Sequence, residues 1–70
     1  MKTRLMNVAN GTLVKHTGST TKWIDGKLVV MESNVIDKDV WFVKTCDAFQ
    51  YDTVNKKEVV FHPYDLVEIS

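Results

Sequence analysis

The sequence predicts an all-β domain. Val, Ile, Thr, Phe, Tyr and Trp dominate its ordered-looking stretches, and these residues suit a pleated, half-buried surface. The apolar runs are short and are cut by turn residues about every 8–12 positions, the spacing of small sandwiches and barrels. The periodicity is that of strands, not of helices.

Five strands are expected, in order. Asn10-Gly11 is a turn signal, and Thr12-Leu13-Val14-Lys15-His16 after it is the first strand. A long polar loop follows from Thr17 to Asp25, with Trp23 near its end. Asp25-Gly26 marks a tight turn, because glycine accepts positive φ cheaply. Lys27 to Glu32 is the second strand, and Ser33-Asn34 and Asp37-Lys38-Asp39 bracket a short connection. The third strand, Val40 to Cys46, is continuously apolar over Val40-Trp41-Phe42-Val43, which suggests burial on both sides or a strand shared between two faces. Phe49-Gln50-Tyr51 extends it across a bulge. Asp52 to Lys57 is a polar hairpin turn, and Glu58 to His62 is the fourth strand. Pro63 fixes φ and lacks an N–H, so His62-Pro63-Tyr64-Asp65 makes one 3₁₀ turn. Leu66 to Ile69 is then the last strand, and it must lie beside the first to remove open edges. Residues 1–10 are a tail or capping segment, with a first turn of helix or a strand at Thr3 to Ala9 as the alternative, in which Leu5, Met6 and Val8 can close one end of the fold.

Seventy residues make a single domain, 1–70. A chain this short hides only about 60% of the surface its unfolded form exposes, so it needs a staple, a partner or an economical fold. Cys46 is the only cysteine, which rules out an internal disulfide. A lone thiol fits a reducing, cytoplasmic setting, where the Asn10-Gly11-Thr12 sequon is chance. Met1 to Val8 carries Lys2 and Arg4 but too short an apolar stretch for a signal peptide. No run approaches the ~18 apolar residues of a membrane span.

Net charge is zero, from nine basic and nine acidic residues. Residues 1–35 hold five basic against two acidic side chains, and residues 36–70 hold four against seven. Binding to DNA by counterion release usually shows a larger basic excess. A neutral, two-signed surface favours a protein partner.

The ending FHPYDLVEI resembles the close of SH3-like and KOW-type domains: strand, one 3₁₀ turn, short final strand. NGTLVKHTG followed by IDGKLVVME is similar to the KOW pattern, in which one Gly precedes a strand and a second opens the next. The resemblance covers most of residues 10–70 and implies a five-stranded SH3-like small barrel. An ALYDY-like strand is missing, and Pro63 and Tyr64 are adjacent rather than spaced, so polyproline binding is not expected.

Candidate chemistry is thin. Cys46 with His16 or His62 is the one nucleophile–base combination, but a cysteine closing a buried strand behaves as a small hydrophobe. Two histidines and one cysteine without Cys-x-x-Cys or His-x-x-x-His spacing do not make a metal site. Gly11, Gly18 and Gly26 read as turns, not as a phosphate cradle. No enzyme, cofactor or metal is expected.

Binding candidates are clearer. Trp23 stands in a polar stretch and either caps the core or anchors a contact. With Lys15, His16, Lys22 and Lys27 it forms a small basic-aromatic patch able to pair phosphates and stack bases. Tyr64 is expected near the same loop. Trp41 and Phe42 must face opposite ways, so one is free for a partner or a subunit contact. Asp37, Asp39, Asp47 and Asp52 can form an acidic face. The expected function is a non-enzymatic protein-interaction module. Its size, beginning at Met1, also suits a phage or mobile-element accessory or inhibitory protein acting on a host protein. The alternative is a KOW-like nucleic-acid or ribonucleoprotein binder, and a homo-oligomer is a third possibility.

Overall fold

One long strand organises the sheet. We describe a computed structural model covering residues 1–34 and 37–70, and the connection read between Asn34 and Asp37 lies outside them. The strands are β1 (Lys2–Arg4), β2 (Leu13–Ile24), β3 (Lys27–Glu32), β4 (Trp41–Lys44), β5 (Phe49–Asp52), β6 (Lys57–Val60) and β7 (Leu66–Ile69). All neighbouring strands are antiparallel, in the order β1-β7-β2-β4-β5-β6, with β3 on the second half of β2. The fold is all-β, as expected, and the last strand does lie beside the first predicted one.

Two features differ from the expected five-stranded barrel. Seven strands form, because Lys2–Arg4 adds to the outer edge of β7 and because β4 and β5 are separate strands joined at Thr45–Ala48. Among the described residues the sheet also runs open from β1 to β6. The 3₁₀ element sits at Leu5–Asn7, while residues 62–65 make one turn closed by the Asp65 amide on the His62 carbonyl (2.8 Å).

The largest correction concerns residues 17–25. Read as a polar loop, they continue β2 as one arm of a β2–β3 hairpin. Asp25 and Gly26, at φ 51° and 75°, form the two-residue connection that a type I′ turn requires. What lets one strand serve both the sheet and the arm is a bulge between His16 and Ser19. Gly18 sits in it at φ 88°, so Gly18 is a bulge glycine rather than a turn glycine. A Cβ there would meet the Lys38 side chain at 2.7 Å, but that flexible end can move away. The cost of Gly18→Ala is therefore mainly backbone, about 1–2 kcal/mol, and denaturant unfolding should show a stability loss of that order.

The apolar core is small: Leu5, Val8, Val14, Phe42, Phe61 and Val67, flanked by Val40, Val59 and Ile69. Leu5 and Val8 close one end, while Met6 stays exposed. Phe42 and Phe61 meet edge to face, with ring centroids 5.1 Å apart. Inward-facing polar residues supplement this core by tying turns. Gln50 accepts from the Thr45 amide (3.2 Å) and donates to the Cys46 carbonyl (2.8 Å). Lys44, 2% exposed, donates from Nζ to the carbonyls of Leu5 (2.8 Å) and Val8.

β4 was expected to be buried on both sides or to be shared between two faces. Its residues alternate, with Phe42 and Lys44 inward and Trp41 and Val43 outward, so it is not buried on both sides. The strand ends at Lys44, which leaves Cys46 exposed in the following bend. The opposite orientation of Trp41 and Phe42 is as expected.

Candidate functional site

The β2–β3 arm carries apolar side chains on both of its faces. Paired residues share a face, so Thr21, Val30, Trp23 and Leu28 lie on one side, and Met31, Lys22, Val29, Ile24 and Lys27 on the other. Trp23 is 63% exposed and Val30 62%. Ile24, Val29 and Met31 are exposed as well. Single exposed apolar residues are ordinary, whereas a contiguous set on one element marks a contact surface. Trp23 does not cap the core.

The basic-aromatic patch does not assemble as expected. Lys22 and Lys27 share one face of the arm, and Trp23 is on the other. Lys15 lies back on the outer sheet face, over the Trp41 ring at 5.2 Å and opposite Glu68. His16 is buried. Tyr64 stacks against His62 (5.7 Å) and under the Arg4 guanidinium (5.5 Å). The acidic face loses Asp52, which is buried and caps the β5–β6 turn through the amides of Val54 (2.9 Å) and Asn55 (3.1 Å). Asp47 lies beside Lys44 at 3.0 Å.

A second surface was not anticipated. Leu13, Val43 and Tyr51 are successive cross-strand neighbours on the outer face, with Trp41, Phe49 and Val60 around them. On β5 the apolar residues face out and the polar ones in.

Where the arm leaves the sheet, a cavity of about 460 Å³ opens between it and the β6–β7 connection. Thr20, Lys22 and Glu32 line one wall; Val60, Phe61 and Asp65 line the other. His16 Nδ1 accepts from the Gly18 amide (2.8 Å), so a neutral ring carries its proton on Nε2. That nitrogen is 3.0 Å from Asp65 Oδ2 but meets it off the hydrogen-bond line. Asp65 Oδ2 also accepts from the His62 amide (2.9 Å). The Thr20 hydroxyl lies close to Asp65 yet makes no well-formed hydrogen bond.

Burial works against the Asp65 carboxylate, but His16 and the His62 amide outweigh it and hold the pKa below the usual 3.8. Asp52 is lowered too, by the Asn55 amide above all, against desolvation, with help from the Asn55 side chain, the Val54 amide and Lys57. A carboxylate depressed in the fold stabilises it fully above the unfolded pKa, and that stability is lost as pH falls through the folded value. The melting temperature should thus hold down to about pH 4 and fall below it, and Asp65→Asn should flatten that fall. Circular dichroism melts across pH 2–7 check this.

Compared with family models, curated proteins and solved structures, the chain matches none. Among the described residues no helix is long and apolar enough to cross a membrane, and no three His, Cys, Asp or Glu side chains group to hold a metal ion.

Proposed function

We propose that the protein is a non-enzymatic interaction module that binds another protein through the β2–β3 arm. The observation that carries this is the exposure of Trp23 beside Val30, with Ile24 and Met31 on the reverse face. Exposed tryptophan at the end of a stiff hairpin supplies large contact area at little entropic cost, which is why Trp is enriched in binding hot spots. An accessory or inhibitory protein of a phage or mobile element, working in the cytoplasm on a host protein, fits this mode of action.

We also read the domain as an opened SH3-like barrel. Five strands in the order β7-β2-β4-β5-β6 support it, as does the single turn that leads into β7 beside β2.

The second reading is a KOW-like nucleic-acid binder. Lys22 and Lys27 on one face of the arm favour it, but the Trp23 ring on the opposite face is not available to stack a base beside them. An amide NMR titration with single- and double-stranded oligonucleotides at low salt separates the two. The protein-binding reading expects unmoved spectra; salt-reversible shifts in the arm would favour nucleic acid.

A further inference from the structure

Alternate residues of an antiparallel strand present their backbone groups to opposite neighbours. The Phe61 amide donates to the Ala48 carbonyl (2.7 Å), in the same register that pairs Val59 with Gln50 and Lys57 with Asp52. The N–H and C=O of Glu58 and Val60 therefore point away from β5. Among the described residues no strand pairs with that side. Unpaired edge groups are a template for an added strand.

Val60 also lines the cavity, so this edge and the cavity are continuous. At the cavity wall Thr20 is 7% exposed, and its hydroxyl lacks a well-formed partner. A buried polar group left so costs free energy that a bound donor would recover. Asp65 close to it on the facing wall is ionised at neutral pH, and Glu32, on the same wall as Thr20, has no ion-pair partner among the described residues. Two carboxylates and the Thr20 hydroxyl, on a lining that also holds Lys22 and His62, favour a donor-bearing cation. Phe61 offers an apolar wall for its stem, and Val60 borders the mouth.

We propose that the β6 edge and this cavity together take an extended segment of a partner polypeptide, added as a strand beside Glu58–Val60, with one arginine or lysine side chain in the cavity. The site does not include Trp23 and does not depend on its ring. Backbone pairing supplies most of the affinity, and the basic side chain sets register and selectivity.

The test is an NMR titration of the labelled full chain with a capped Thr-Val-Arg-Val-Thr peptide and its versions with norleucine or Glu at the centre. The arginine peptide should shift the amides of Glu58, Val60 and Thr20 and bind about tenfold tighter than the norleucine peptide. Glu32→Gln, at an exposed position, should erase most of that preference, and Thr20→Val should reduce it. Trp23→Ala should leave peptide binding unchanged, which separates failure here from failure of the arm reading. No shift at millimolar peptide, or equal affinity for the arginine and norleucine peptides, would overturn the proposal.

Discussion

Lys44→Met is expected to lower the melting temperature by about 15 °C or more. The ammonium group holds the Leu5 and Val8 carbonyls from inside the domain, and hydrogen bonds to a charged group contribute about 1.5–3 kcal/mol each. Shared over one donor they do not add fully, so about 3 kcal/mol is the expected loss. A domain of this length has only about 3.5–10 kcal/mol in total. Methionine keeps the apolar stem, so the effect belongs to the two lost bonds rather than to a cavity: the Val8 carbonyl loses its ammonium donor, while the Leu5 carbonyl keeps the Val8 amide (3.0 Å). The Asp47 pair contributes little because that carboxylate is mostly exposed. Amide exchange at Leu5–Val8 should accelerate more than at β4 or β7, showing that the N-terminal segment detaches first. A melting temperature within about 3 °C of wild type would mean that the carbonyls find water without cost.

Trp23→Ala is expected to act in the opposite sense, on binding and not on the fold. Its ring buries little within the domain, and surface substitutions of this kind usually stay within about 0.5 kcal/mol. At a hot spot the same truncation costs at least about 2 kcal/mol of binding, roughly a 30-fold weaker complex. Calorimetric titration with the purified partner and a thermal melt of the same variant measure both halves. A destabilised variant would place Trp23 in the fold's energetics instead.

Much of the fold was legible in the sequence, because strand periodicity and turn residues are local signals. Asp25-Gly26 marks its turn by φ preference alone, and Pro63 marks the break before β7. The arm was missed for a related reason. Thr17 to Thr21 are polar by composition, so they read as loop, yet threonine is a strand former, and Thr20 and Thr21 are buried. Only the bulge at Gly18, read as a turn, hinted that a strand could bend and continue. β5 failed differently. Its period of two is plain, but a period does not say which face is inside. Phe49 and Tyr51 face out because Gln50 and Asp52 are needed inside to tie the adjoining turns.

The candidate site was half legible. Trp23 stood out as an aromatic without local cause, and Lys22 and Lys27 as its neighbours. Alternation along a strand, had the segment been read as one, would have separated the ring from the lysines. His16 carried no sign that it is buried, since its partner Asp65 lies 49 residues along the chain. The cavity had no sequence signal, for it arises where two distant segments fail to pair.

The most direct test of the arm as the binding surface is capture from a host lysate with three baits: wild type, a Trp23→Ala/Val30→Ser double variant and Trp41→Ala. A defined protein retained by wild type and by Trp41→Ala, but lost with the arm variant, is the predicted result. Equal recovery by the arm variant, or loss with Trp41→Ala alone, would contradict the account and move the interface to the outer face of the sheet.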